Sequence, residues 1–370
     1  MSLNQNLTTI SCLNCRDVVE GERSPDTLTC PSCGHSYPVF ECIPLLVKES
    51  RINLAASWRE LEKVLADNGD RLEEVKDALG RQPERAELLN RGIQAYQSDN
   101  SYLAGLRDAI GRAIARKEIA ELEEEGRLPR QYTFGEGLAF FYRDWCRSEA
   151  AESEISTIID TVNHQLEAYA DNVDSVLVPG AGAGRFACEL ARTFDRVYAF
   201  DYSMHMAQIF YDIALKGITI HRVNFRSNVV HTEDVVVSFS LSIPDGEIRS
   251  ALDAGKLSYF TSNALDTPMP GNSLSAVASI YFIDLVPIKE HMLEARRVLK
   301  PGGLFINFGP LRYMRGDVAN MLSGEEILDL YSQSGFDILA HDVVPNTQLA
   351  SSQVITSVHS NNFVFVARKR

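Results

Sequence analysis

The sequence predicts an α/β protein with a Rossmann-like, doubly wound and mostly parallel sheet over residues 131–370. A cysteine-rich unit (1–48) and a helical segment (49–130) precede it. Three observations carry this reading. From Tyr132 onward, short apolar, β-branched or aromatic runs (SVLVPG, RVYAFD, SAVASIYF, GLFINFG) alternate with helical stretches (FACELARTF, MHMAQIFYDIAL, IKEHMLEARRVL), as βαβ units require. Ser175–Gly184 reads as a buried strand running into a glycine-rich turn and a helix. Two Cys-x-x-Cys pairs stand within the first 33 residues.

The chain has 370 residues, 45% of them apolar and 23% charged, ordinary values for a globular protein with one large domain and additions. No apolar run is long enough to span a membrane. The start, MSLNQNLTTISCLNC, has neither a basic opening nor a signal-peptide core, so a cytoplasmic location is expected. The net charge of -14 lacks the basic footprint of nucleic-acid binders and favours a small or cationic substrate.

In the first unit, Cys12-x-x-Cys15 and Cys30-x-x-Cys33 are fourteen residues apart. Two such turns can close a tetrahedral shell of four thiolates around one Zn2+, with no position left for water. The expected metal is therefore structural. Cys42, Cys146 and Cys188 lie among apolar neighbours and read as small buried hydrophobes. His35 reads as a turn residue. From CLNC to CPSCGHSYPVFECIPLLV the stretch resembles the small zinc-ribbon proteins that activate tRNA and translation-factor methyltransferases, in its Cys pair, Tyr37-Pro38 and Ile43-Pro44.

Residues 52–126 are dense in Leu, Ala, Glu and Arg. Helical spacing appears at Leu72, Val75 and Leu79 and at Leu103, Leu106 and Ile110, with breaks expected at Asn68-Gly69, Gly80–Pro83 and Gly126. A scaffold, a lid and a homodimer surface all fit this composition.

In SVLVPGAGAG, Gly180 and Gly182 permit a tight turn and close approach of a ligand, and Gly184 permits close helix–strand packing. Twenty-one residues after Gly180, the strand RVYAFD ends in Asp201, an acceptor for ribose hydroxyls. A nicotinamide cofactor and S-adenosylmethionine both fit these features.

SNALDTPMPGNSLSAVASIYFIDLV resembles the fourth-strand region of seven-stranded (class I) methyltransferases, and EARRVLKPGGLFINFG resembles the helix, turn and fifth strand of that fold. The resemblance implies S-adenosylmethionine, with Asn263, Ala264 and Leu265 bordering adenine and Tyr281–Asp284 facing the methyl group. More specifically, YRDW (142–145), VLVPGAGAGR (176–185), YFIDL (281–285), LKPGGLFINFGPLRY (299–313) and the terminal FVFVARK resemble the carnosine N-methyltransferase family. That likeness implies cofactor contacts at Arg143, Gly180 or Gly182, and Asp201, with Tyr281 beside them. It also implies a substrate-facing carboxylate at Asp284, with Tyr313 beside it; His359 and Asn361 are expected to line the pocket as polar replacements for family aromatics. A carboxylate accepting the imidazole N–H would fix the tautomer and aim the other nitrogen.

Two departures stand out. Met314 occupies the place of a family histidine, and SVHSNNF replaces a family tyrosine cluster. They shift the expected substrate from carnosine toward another imidazole, such as a thiohistidine of ovothiol formation. An RNA methyltransferase is the second reading, since rRNA enzymes also join a zinc ribbon to this fold. A non-catalytic activator is the third.

Overall fold

The computed structural model describes residues 7, 10–19, 26–131, 134–226, 229–313, 317–349 and 357–370, with backbone alone for 134–136. The cysteine-rich unit is a small antiparallel meander of β1 (Thr27–Thr29), β2 (Ser36–Phe40) and β3 (Ile43–Leu46). Three helices follow: α1 (Ser50–Arg81), α2 (Ala86–Ala113) and α3 (Arg116–Glu124).

α1 corrects one expectation, because it runs unbroken through Asn68-Gly69. A glycine in a helix interior costs about 1 kcal/mol, little against the packing of α1 along α2. Asn68 Nδ2 also donates to Asn100 Oδ1 of α2 at 3.0 Å. The N-terminal half of α1 buries Ile52, Leu54, Trp58 and Leu61 against the rest of the chain.

The larger unit runs through α4 (Phe134–Trp145), α5 (Glu149–Tyr169), β4 (Ser175–Pro179), α6 (Arg185–Leu190), β5 (Arg196–Asp201) and α7 (Met204–Leu215). A separate antiparallel hairpin, β6 (Ile218–Val223) and β7 (Val236–Leu241), then packs on α2 and α4. Its ties are His221 Nδ1 to Asp99 Oδ1 at 2.7 Å and an edge-on contact of Tyr142 with Phe239. The chain continues through α8 (Glu247–Asp253), β8 (Leu257–Ser262), β9 (Leu274–Ile280), α9 (Ile288–Val298), β10 (Leu299–Gly309), α10 (Gly324–Gln333), β11 (Phe336–Gln348) and β12 (Val358–Lys369).

The sheet order is β1-β2-β3-β8-β5-β4-β9-β10-β12-β11. From β8 to β11 these are the seven strands of the expected methyltransferase-type sheet, with β12 antiparallel between β10 and β11. The order reverses between β4 and β9, which opens a crevice at the carboxyl ends of those strands. Side chains alternate between the faces. Val176, Val178, Ala278 and Ile306 pack toward α1, α5 and α7, while Leu177, Val277, Phe305 and Phe365 pack with α9, α10 and the N-terminal unit.

β3 pairs in parallel with β8 (Leu45↔Thr261, Leu46↔Ser262), so the N-terminal unit extends the same sheet and covers the β8 edge. Of the three remaining cysteines, Cys188 is buried and Cys146 half-buried. Cys42 is exposed, contrary to expectation, because it sits at φ +70° in the tight turn between β2 and β3. Among the described residues no helix is long and apolar enough to cross a membrane.

Candidate active site

The glycine-rich turn lies at the reversal of strand order. Gly180, Gly182 and Gly184 all have positive φ (61°, 51° and 82°). A Cβ on Gly180 would stand 2.1 Å from Phe282 Cδ2, and one on Gly184 would stand 2.2 Å from Phe210 Cε2. Around Gly182 the space is open, with Met206 Cε nearest at 3.9 Å. Gly180 thus admits the turn that follows β9, Gly184 admits α7, and Gly182 leaves a backbone surface free.

Asp201 closes the turn from β5. Its Oδ2 accepts the Gly182 N–H at 3.1 Å, and its Oδ1 accepts the Ser203 N–H at 2.9 Å. Burial pushes its carboxyl above the ordinary aspartate value, and these N–H donors only partly oppose that. Each oxygen keeps a further lone pair for a hydroxyl donor. Tyr259 donates its hydroxyl to Gly182 O at 2.7 Å, and Trp145 Nε1 donates to Ala183 O at 2.8 Å. α1 supports the same region, with Asn53 Nδ2 donating to Tyr202 O at 2.6 Å and the Met204 N–H donating to Ser57 Oγ at 3.0 Å.

Arg143 is 5% exposed. Its Nε donates to Asp144 Oδ1 at 2.6 Å and its Nη1 to Glu154 Oε1 at 3.3 Å. The guanidinium lies 5.0 Å from the Phe186 ring centre and 5.7 Å from that of Tyr281. Burial works to lower its pKa, but Asp144 and Glu154 outweigh burial and keep it charged. Burial also holds the Glu154 carboxyl above its ordinary value, against the pull of Arg143.

Tyr281 follows β9 at φ +53°, a conformation that costs a bulky residue about 1–3 kcal/mol. Its N–H donates to Phe308 O at 2.7 Å, which pins the strained turn to β10. The Tyr281 hydroxyl is buried and makes no close hydrogen bond among the described residues, although the Gln348 and Asn346 side chains approach it. Burial pushes its phenol up, and the side chains of Asn346 and Gln348 act against that. A hydroxyl held this loosely can turn to a ligand as donor or acceptor.

Asp284 sits half-buried in the turn that follows, where its Oδ2 accepts the Arg312 N–H at 2.9 Å. Burial raises its pKa. Tyr313 lies within its field: burial and then the Asp284 charge push the phenol up to about 12, and the hydroxyl donates to Leu322 O at 2.7 Å.

Across the crevice, Asn263 is exposed at the end of β8 and accepts the Leu265 N–H at 2.9 Å. Ala264 is buried, with its carbonyl 3.4 Å from His291 Nδ1. Gly180, Gly182, Asp201, Arg143 and Tyr281 are thereby gathered around one turn, with Asp284 and Tyr313 together beyond it. His359 is elsewhere. On β12 it is exposed with Asn361, Nδ1 3.0 Å from Thr347 Oγ1, while Ser360 and Asn362 face inward. Met314 lies outside the described residues.

Sequence reasoning missed Tyr259, Glu154, Asn346 and Gln348. Asn346 Nδ2 donates to Glu154 O at 3.2 Å, and the Leu349 N–H donates to Glu154 Oε2 at 2.7 Å, which ties the extended β11 to the Arg143 cluster. The only early signal was YRDW, which marks the neighbourhood of Arg143 but not its partners.

The four thiol sulfurs of Cys12, Cys15, Cys30 and Cys33 lie within 4.8 Å of one another. Cys12–Cys33 and Cys15–Cys30 are 3.7 and 3.6 Å apart, close to the edge of about 3.8 Å that a tetrahedron with Zn–S of about 2.3 Å has. Burial works to raise the Cys12 pKa. Donation from the Tyr37 hydroxyl and from nearby amides outweighs it and brings the thiol down to about 6, while at Cys15 the Asp17 amide works to lower the thiol but burial and the neighbouring sulfurs push it up. The donor set can hold a metal ion.

A family model described as carnosine N-methyltransferase matches residues 133–370. The mouse carnosine N-methyltransferase is 26% identical over 248 residues, covering 63% of this chain and 62% of its own length. A Drosophila melanogaster relative, carnosine N-methyltransferase unmet, is 30% identical over 203 residues, covering 51% and 43%. The chain thus spans less than two thirds of the length of either relative. Among solved structures, a Pyrococcus horikoshii protein is similar over 62% of this chain and 99% of its own, at 16% identity and a TM-score of 0.40. The magnesium protoporphyrin IX methyltransferase of Synechocystis is similar over 64% and 94%, at 12% identity and a TM-score of 0.40. The family match takes in well over half of the residues, and this chain belongs to the carnosine N-methyltransferase family.

Proposed function

We propose that the protein is an S-adenosylmethionine-dependent N-methyltransferase acting on an imidazole nitrogen of a small histidine derivative. The observation that carries the reading is the turn at the strand-order reversal. It has an open backbone at Gly182, Asp201 with spare acceptor capacity, and the buried Arg143 guanidinium and Tyr281 hydroxyl alongside. These residues suit S-adenosylmethionine: Asp201 for the ribose hydroxyls, Asn263 and Ala264 for the adenine, and Arg143 and Tyr281 for the amino-acid end. Bound there, the cofactor supplies an electrophilic methyl group.

The chain's own residues do the rest. Asp284 accepts the imidazole N–H, which leaves the opposite nitrogen's lone pair aimed at the methyl and stabilises the positive charge that develops. Tyr313 lines the same side. The walls of Phe186, Tyr281 and Phe282 exclude water from the transfer. The imidazole class is supported by family membership and by Asp284. Met314, in place of a family histidine, favours a thiohistidine over carnosine. Cys12, Cys15, Cys30 and Cys33 hold a structural Zn2+, and residues 49–130 serve as a scaffold behind the cofactor turn.

Calorimetry tests the cofactor assignment. S-adenosylmethionine is expected to bind and NAD is not. Tight NAD binding without S-adenosylmethionine binding would overturn it.

A further inference from the structure

The N-terminal unit is joined to one particular loop of the large sheet, residues 263–268, which leads out of β8. Ser11 N–H donates to Pro268 O at 2.6 Å. Arg16 pairs with Asp266 Oδ1, and its Nη1 donates to Thr267 O at 3.4 Å. Lys48 Nζ takes the other Asp266 oxygen at 2.7 Å. Ser262 Oγ donates to Leu46 O at 3.1 Å, where β3 runs beside β8.

The opposite side of the loop is held by α9. Glu294 Oε1 accepts from Thr267 N at 2.7 Å and from Thr267 Oγ1 at 2.6 Å, and Arg297 Nη2 donates to Thr267 O at 3.1 Å. Between these two grips, Asn263 is left exposed and Leu265 half-buried. The loop is clamped at its base, with Asn263 left outward at the end of β8.

One half of the clamp is built on the cysteine knuckle. Arg16 directly follows Cys15 and sits at φ +69°, with its N–H donating to Cys12 O at 2.8 Å, so the turn closed by the two cysteines aims the side chain at Asp266. The Tyr37 hydroxyl accepts the Leu13 N–H at 2.6 Å and lies 3.3 Å from Cys12 Sγ, which fixes the same turn from beneath. A metal held by the four thiolates would lock this turn in place.

We propose that the metal-loaded knuckle is a positioning element for the cofactor: through Arg16 and Lys48 on Asp266 it fixes the 263–268 loop, so metal occupancy sets S-adenosylmethionine affinity. This rests on the assignment of that loop to the adenine. The coupling is reciprocal, so the cofactor must also tighten metal binding.

The full-length, zinc-loaded protein and its Arg16→Ala/Lys48→Ala variant test this. Both substituted side chains are substantially exposed, at 43% and 58%, so the variant should fold and keep its zinc. Its Kd for S-adenosylmethionine should rise roughly fivefold, and at equilibrium the zinc released to a competing chromogenic chelator should fall, with zinc affinity raised by a similar factor, when the cofactor is added to the parent protein. An unchanged Kd in the variant, together with zinc release indifferent to the cofactor, would overturn the proposal. Asp201→Ala is the control. If it too binds as tightly as the parent, the cofactor assignment itself has failed, whereas a loss there alone condemns only the clamp.

Discussion

Gly180→Ala is the sharpest perturbation of the site. The added Cβ would lie 2.1 Å from Phe282 Cδ2 and 2.6 Å from Cε2, well inside the roughly 3.5–4.0 Å at which carbons make contact. Overpacking of this kind costs about 1–3 kcal/mol, and an L-residue at φ +61° costs about 1–2 kcal/mol more. The expected loss of stability is therefore about 2–5 kcal/mol. Gly182→Ala supplies the comparison. Its φ of +51° carries the same strain, but the Cβ meets nothing closer than Met206 at 3.9 Å, so about 1–2 kcal/mol is expected. Urea unfolding of both variants, of Phe282→Ala and of the Gly180→Ala/Phe282→Ala double variant measures the steric part directly. The double variant should be more stable than additivity predicts by about 1–3 kcal/mol, because the ring that Cβ strikes is gone. Strict additivity would show that Gly180 is not there to admit Phe282.

Three further outcomes follow from the same geometry. Asp201→Ala should weaken S-adenosylmethionine binding by about 1.5–3 kcal/mol in calorimetry, and in the parent the affinity should fall on acidification at a pH above the ordinary aspartate range, since burial raises this carboxyl and only the ionised form accepts both hydroxyls. His291, 3% exposed between the rings of Phe282 and Phe305, is lowered by burial from 6.5 to about 4. Between those values the unfolded chain takes up a proton that the folded one refuses, so stability should drop by about 3 kcal/mol as pH falls from 6.5 to 4, and His291→Phe should flatten that part of the unfolding profile. With a substrate identified, Asp284→Ala should lower turnover on the order of 10²-fold and Asp284→Asn less, with cofactor Kd unchanged in both; parent-like turnover in the alanine variant would remove Asp284 from its role.

The parts of the fold legible in the sequence are those with local causes. SVLVPGAGAG and RVYAFD each show strand, turn or helix signals within a few residues and fall where expected, while the expected Pro-Gly-Gly turn is absorbed into β10 as a break in its register with β9. What was not legible depends on partners distant in the chain. Nothing near Asn68-Gly69 announces that α2 will carry the helix across it. Nothing in IPLL says that it will pair with β8 more than two hundred residues away.

The site divides in the same way. Gly182 and Asp201 belong to one βαβ unit, and their hydrogen bond is implied by it. Glu154, Asn346 and Gln348 meet Arg143 and Tyr281 only because β11 extends past the sheet and folds onto α5. His359 shows the limit of reading by position alone. Strand alternation decides which way a residue faces, and the register of β11 with β12 turns Ser360 and Asn362 inward while His359 stays outside.

The central claim is that an imidazole nitrogen receives the methyl group. The most direct test incubates the protein with methyl-labelled S-adenosylmethionine and, separately, carnosine, histidine, a thiohistidine and bulk RNA, followed by mass spectrometry and NMR of the products. The account predicts the label on a ring nitrogen of one of the histidine derivatives and none on RNA. Label on RNA alone, or on the amino or sulfur atoms of the small molecules with none on the ring, would contradict it.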